Sequence, residues 1–512
     1  MGGLLDQSQP LFRSGWAAVV LVLGLLSCAV VNASKFDESF TMVEGKRFGP
    51  IVEGPMYGAD GAFIGFSTGT PFVGFEGVAQ FMAGSEPASL RANLTVYHTS
   101  SKDILPIFDT SLADALRFEN ASMINCDTSK GMPTKEIMHA FGHLEKYEII
   151  ELSGKDAQVD IDFRSPVLNT GYQYIVFVLC RRHHKSGIMA PIEASIDGTL
   201  IFRNPYGYLP ARYYGFLPFL GILASVYFGM FLVYGYLSVK HRRTILRMQY
   251  GVLAVIIMGV IETTTWFLTY VVMNDSGSTS CCPWRSDVVF AMFAKNVKQT
   301  VSGMLVLAVA LGWGVVRSSL SRKATFAVIM LGFFYLAFSV KFDLVRMERI
   351  SHAARTDSDD TNAKEEGNSA FWAFPVALCD VLFILAIYFG LIETSQELEN
   401  DHQEAKLEMY QRLTGTLRYW GILWFVFTFF DLGTRIGVIP WPWSLEFLLW
   451  SFWDILYLGV LLRIAIIWRP TETSDRYAYS SQLPTGNVLD EFETPEFEEN
   501  SAQKEKQMNE TN

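Results

Sequence analysis

The sequence predicts a multi-pass α-helical membrane protein: a luminal antiparallel β-sandwich followed by a seven-helix transmembrane bundle. Three observations carry this reading. Apolar runs recur seven times between residues 211 and 470. Residues 34–210 instead alternate apolar and polar side chains in short stretches broken by glycine and proline. Residues 1–33 have the three-part pattern of a signal peptide, with Arg13, the apolar run Trp16–Leu26 and the small-residue stretch "SCAVVNAS".

The signal peptide places the start of the mature chain in the secretory lumen, with cleavage expected after Ala33. Strand-like stretches follow, "ANLTVYHT", "AQVDIDF", "YQYIVFVLC" and "IEASIDGTLIF", whose period of two marks half-buried strands. "SLADALRFEN" is the main helical candidate among them. Asn93 and Asn120 head glycosylation sequons in this domain. Asn274 heads a third, close to the membrane, and Asn509 a fourth that falls on the cytosolic side. Cys126 and Cys180 both lie in the luminal domain, so they are the expected disulfide. Cys281 and Cys282 either pair elsewhere or stay free, and no CxxC or histidine spacing supports a metal site.

A bilayer needs about 20 apolar residues per helix. The expected spans are 213–238, 248–273, 287–316, 324–342, 371–393, 416–438 and 445–467. "KHRR" after the first and "RSSLSRK" after the third put those loops in the cytosol, along with Lys406, Arg412 and Arg469. The N-terminal domain is then luminal and the C-terminus cytosolic. The loop "SQELENDHQEAKLEMYQRL" carries helix formers with charges at helical spacing and reads as an extension of the spans it joins. Residues 471–512 are an acidic, polar tail expected to be disordered, either a sorting signal or a solubilising segment.

The net charge of −11 argues against nucleic-acid binding. No nucleophile elbow, HExxH or phosphate loop stands in a usable context, so the chain reads as a non-enzyme without a cofactor. "NPYGY" at 204–208 and "DRY" at 475–477 match two receptor motifs, but one precedes the first span and the other lies in the tail. Neither sits where the receptor mechanism uses it.

Ionisable residues inside spans are functional candidates by default. Glu262, Lys298, Asp380, Asp431 and Asp454 fall in five different spans, with Lys295 one turn from Lys298 and Arg435 one turn from Asp431. Counting back from Val316 puts Lys298 near the luminal edge of the hydrocarbon. The expectation is one polar cavity open to the lumen, its mouth closed by a Lys298–Glu262 pair, with Lys295 reaching the headgroups; the alternative is charge pairs that only hold the helices together.

Several stretches resemble the lung seven-transmembrane receptor family, also called GOST (GOLD-domain seven-transmembrane) proteins. They are "NPYGYLPARYYGFLPFLGILASVYF", "IMGVIETTTWF", "FAKNVKQTVSGMLVLAVALGWGVV", "KLEMYQRLTGTL" and "WRPTETSDRYAYS", the last similar to the Ptm-like branch. The resemblance covers roughly 190–480. It implies a GOLD-like luminal sandwich and a Golgi or endosomal protein acting in endosome-to-Golgi trafficking. Its partners would be membrane lipid, a luminal cargo or protein partner, and cytosolic machinery met through the tail. The alternatives are an ion channel or lipid-binding transport protein, and an orphan receptor.

Overall fold

The computed structural model describes residues 36–43, 47–51, 55–60, 65, 69–81, 91–101, 126–127, 132–133, 143–153, 158–181, 193–277, 285–317, 319–353, 359–435 and 438–472. Side chains of 36–55, 81, 91, 126–133, 143, 153, 181, 193, 212, 346–370, 432 and 435 lie outside the description, as do the expected signal peptide, the helix at 111–120, Asn120, Cys281, Cys282 and the tail.

The N-terminal domain is a sandwich of two antiparallel sheets. One sheet orders β1 (Phe36–Val43), β11 (Glu193–Arg203), β4 (Phe72–Phe81) and β9 (Val159–Pro166) as β1-β11-β4-β9. The other orders β2 (Arg47–Ile51), β10 (Gly171–Arg181), β5 (Arg91–Ser101) and β8 (His143–Ser153) as β2-β10-β5-β8, with β3 (Pro55–Met56) also on β10. The expected alternation is realised in "VDIDFRSP", where Ile161 and Phe163 turn inward and Asp160, Asp162 and Arg164 outward. Val73, Phe75, Leu94, Val96, Phe177, Ile196 and Leu200 complete a dry core between the sheets. Phe75 and Phe177 meet edge to face across it, ring centres 5.0 Å apart.

One polar group bridges the sheets. His98 of β5 is fully buried, with Nδ1 2.7 Å from the Ser165 hydroxyl of β9 and Nε2 2.9 Å from Gln173 Oε1. Since Gln173 Oε1 can only accept, Nε2 carries the proton and Nδ1 accepts from Ser165. Burial pushes the imidazole pKa below its ordinary value, against the raising influence of Gln173 and Glu145.

Asn93 is 4% exposed in mid-strand between β10 and β8. A glycosylated side chain stands in solvent, so this placement turns the glycan expectation away from Asn93, leaving Asn120. Cys180 is disulfide-bonded. Cys126 forms a short strand β6 (Cys126–Asp127) that pairs with β7 (Met132–Pro133), and β7 lies against β10, the strand of Cys180.

Among the described residues seven long helices follow: α1 (Phe216–Lys240), α2 (Arg247–Ser276), α3 (Ser286–Ala310), α4 (Arg322–Ala353), α5 (Asp359–Asn400), α6 (Glu404–Arg435) and α7 (Glu446–Ile467). Five segments are long and apolar enough to cross a membrane: α1, α2, Arg322–Val345 of α4, Phe371–Asn400 of α5, and Trp443–Ile467, which contains α7. The polar run Lys295, Asn296, Lys298 and Gln299 keeps α3 below that level, and α6 carries Arg418 and Asp431. The loop between α5 and α6 is mostly helical as expected, broken at His402, whose φ of 53° turns the chain.

The third span departs from expectation. Gly312 and Gly314 adopt φ of +87° and +82°, so α3 ends at Ala310 and not at Val316. Its last carbonyls are capped from neighbours: the Tyr410 hydroxyl donates to Val309 O at 2.8 Å and the Thr394 hydroxyl to Ala310 O at 2.8 Å.

The misplaced receptor-like motif has a structural role. Asn204 and Gly207 of "NPYGY" bond each other's backbones, and Asn204 Oδ1 accepts from Tyr57 N–H at 3.0 Å. Asn274, near the end of α2, donates to Tyr206 O at 2.9 Å and accepts from Tyr208 N–H through its own carbonyl at 2.8 Å. Asn274 is thus consumed in docking the sandwich onto the bundle. Around it Tyr57, Tyr206 and Trp443 form an aromatic collar, with the Tyr57 and Trp443 rings 5.2 Å apart.

Candidate functional site: a buried ion pair above an apolar cavity

Lys298 is the central residue of α3, about 18 Å from Ala310 at 1.5 Å per residue. The early end of α3 puts Lys298 at the middle of that helix, where the count from Val316 had put it near one edge of the span. Glu262 lies at the middle of α2. The two form an ion pair, each residue 4% exposed. Neither charge would be tolerated alone at this burial, since breaking a buried ion pair leaves an uncompensated charge at a cost of about 3–5 kcal/mol.

The pair sits in an aromatic box. The Lys298 ammonium is 4.1 Å from the ring centre of Tyr457 on α7 and 5.7 Å from that of Tyr227 on α1. Gly259 makes this possible: a Cβ there would meet the Tyr227 ring at 2.4 Å, so only glycine lets Tyr227 lie flat on α2. Asp454, one turn before Tyr457, is within electrostatic reach of Lys298 and Glu262. Three of the sequence-selected residues therefore converge.

Lys295 belongs to a second cluster. Its ammonium is 3.8 Å from Oδ2 of Asp343 on α4, which also accepts from Asn296 Nδ2 at 3.0 Å. Asp343 was not anticipated, because the expected fourth span stops at residue 342 while α4 continues to Ala353. An aspartate one residue past an apolar run that keeps its helical pattern was the available signal. Lys295 is accordingly paired to a neighbouring helix, where a headgroup had been expected.

The other carboxylates are placed apart. Asp380 is exposed on α5, within hydrogen-bonding reach of Tyr335. It does not share a cavity with Lys298, because the helical phase of α5 buries Cys379 and turns Asp380 outward. Asp431 is half-buried near the C-terminal end of α6, where its backbone carbonyl accepts the Thr434 hydroxyl.

The cavity also departs from expectation. Its volume is about 290 Å³, and it lies toward the Ala310 end of α3 from Lys298. Val252, Val255, Val306, Val309, Leu461 and Ile464 make most of its wall. Polar groups gather at one end, from Gln299, Ser302, Tyr335 and Tyr457. Tyr457 thus faces the cavity while its ring covers Lys298. Trp468 closes the far end, its carbonyl accepting the Tyr234 hydroxyl at 3.0 Å. Such a lining fits an apolar chain with a polar terminus better than a hydrated ion. Among the described residues no cluster of histidine, cysteine, aspartate or glutamate is arranged to hold a metal ion.

A family model for the GOST seven transmembrane domain matches residues 215–475. The chain belongs to the GOST seven-transmembrane family. The Lys298–Glu262 pair and the cavity therefore lie within the GOST domain. The chain is 25% identical to Transmembrane protein 87B of Mus musculus over 367 residues, 70% of this chain and 60% of the relative. It is 28% identical to Membrane protein PTM1 of Saccharomyces cerevisiae over 337 residues, 64% of this chain and 60% of the relative. Transmembrane protein 87A of Homo sapiens is 25% identical over 310 residues, 60% of this chain and 52% of the relative. The chain spans about 60% of the length of the first of these relatives.

Proposed function

We propose that this GOST protein acts in membrane trafficking between endosomes and Golgi, with the bundle cavity receiving the apolar chain of a lipid or lipidated cargo. The observation that carries the reading is the cavity of about 290 Å³, apolar along its wall and polar at one end beneath the Lys298–Glu262 pair. An acyl chain would lie against Val306, Val309 and Leu461 while its polar terminus meets Gln299 and Ser302. The luminal sandwich supplies a second surface for a protein partner, and the Asn274 joint couples it to α2. Tail and loops would meet cytosolic machinery.

A second reading is ion transport, favoured by the convergence of Lys298, Glu262 and Asp454 at mid-helix depth. The apolar wall weighs against it, because a hydrated ion crossing that region has no polar lining to replace its water.

Two measurements on the full chain separate the readings. A photoactivatable fatty-acyl phospholipid incorporated in nanodiscs should cross-link to peptides of α3 and α7 around Val306 and Leu461. Cells lacking the protein should delay a retrograde cargo, and Val306→Phe, which fills the cavity, should fail to restore it. Absence of cross-links at these helices would refute acyl binding. Ion flux from protein-containing liposomes, lost in the charge-neutral double variant Glu262→Gln/Lys298→Met, which should still fold, would establish the second reading.

A further inference from the structure

A second pocket, of about 250 Å³, opens at the end of α1, lined by Lys240, His241, Arg242, Arg243, Thr244 and Glu472. We infer that this pocket binds the phosphomonoester headgroup of a membrane inositol lipid.

Position supports this first. Helix α1 is a 25-residue apolar span that ends at Lys240, so the pocket lies at headgroup level. The charge asymmetry of the loops puts that level in the cytosolic leaflet. Second, three Lys or Arg side chains face a single glutamate in the lining, and all three are exposed. Exposed guanidinium and ammonium groups beside a membrane attract anionic lipid, and a concave arrangement selects a compact dianion over a diffuse surface. Third, the loop is held in shape. His241 N–H bonds Leu237 O at 3.0 Å, Thr244 N–H bonds His241 O at 3.0 Å, and the Thr244 hydroxyl donates to Thr471 O at 3.1 Å. The last bond ties the loop to the chain leaving α7, so the basic groups are presented by two bundle elements.

The source of the phosphate is the membrane on these grounds, since a soluble inositol phosphate would not need a site level with the bilayer surface. The competing macromolecular occupant is the acidic stretch 490–499 of the tail, "DEFETPEFEE".

The test uses the full chain in phosphatidylcholine nanodiscs doped with phosphatidylinositol monophosphate, with bound lipid counted by native mass spectrometry. The wild type should enrich the inositol lipid. The double variant Arg242→Gln/Arg243→Gln should lower that enrichment about tenfold, the scale of losing two charge-assisted contacts. Its melting temperature should stay unchanged, because both side chains are exposed. High salt should reduce the enrichment in the wild type only. Equal enrichment in wild type and double variant overturns the proposal. So does equal enrichment of phosphatidylserine, which would mark an unselective basic surface. Equally strong binding of the soluble inositol phosphate headgroup would overturn the membrane source. Carbodiimide cross-links from Lys240 to residues 490–499 in the lipid-containing discs would show the tail to be the occupant instead.

Discussion

Lys298 and Glu262 neutralise each other at the centres of adjacent helices, with the Tyr457 ring 4.1 Å from the ammonium. Removing one partner strands the other. Glu262→Gln should therefore destabilise the bundle by about 3–5 kcal/mol. Glu262→Gln combined with Lys298→Met removes both charges and should recover most of that loss. A double-mutant cycle on thermal unfolding in detergent measures the coupling. Additive losses in the double variant would show that the two residues do not act as a pair.

The aromatic box depends on Gly259. Gly259→Ala should push the Tyr227 ring off α2 and away from Lys298. The expected loss is about 1–3 kcal/mol, the usual range for overpacking. Tyr227→Leu in the same background should relieve part of it. A Gly259→Ala protein with wild-type melting would mean that α1 and α2 separate freely there.

The joint between sandwich and bundle rests on Asn274, which is 9% exposed. Asn274→Ala leaves Tyr206 O and Leu209 N–H without this partner and should cost about 1–3 kcal/mol. Hydrogen exchange should rise at 204–209 and at the C-terminal end of α2, with the sandwich core unchanged. The same burial predicts that Asn274 carries no glycan although it heads a sequon. Peptide mapping reads that directly, and glycan at Asn274 would contradict the docked geometry.

His98 makes the sandwich sensitive to acid. Its pKa is lowered in the folded state, so folding favours the neutral ring. The stabilisation is complete above the unfolded pKa of about 6.5. It is lost as pH falls from there through the lower folded value, by up to about 1.4 kcal/mol per pH unit. Hydrogen-exchange protection factors in β5, β9 and β10, corrected for the intrinsic amide rate, should therefore fall as pH drops below about 6.5. His98→Gln keeps hydrogen bonding without titrating and should flatten that dependence. An unchanged pH profile in the variant would assign the sensitivity to another group.

The disulfide expected between Cys126 and Cys180 would close a loop worth about 4 kcal/mol by chain entropy. Non-reducing peptide mapping should recover the two cysteines in one linked peptide. Cys180 linked to any other cysteine would revise the pairing.

The sequence by itself determined the order of the two domains, the seven helices and the phase of β9, whereas β5 and β10, read as half-buried from their alternation, are buried on both faces. The features it determined are set by hydrophobic period and run length, which local chemistry dictates. "VDIDFRSP" shows its buried and exposed faces in its alternation, and Glu262 and Lys298 stood out because charges are costly inside apolar helices. Depth and grouping were decided only by the tertiary structure. Two glycines with positive φ ended α3 early and moved Lys298 inward, and no run of apolar residues shows where a backbone turns left-handed. The rotation of α5 sent Asp380 outward beside Tyr335, while Asp343, one residue beyond an apolar run, took up Lys295. A cavity is what several helices leave unfilled. Its walls at Val252, Val306 and Leu461 come from three distant segments, and no one segment carries a record of the space between them.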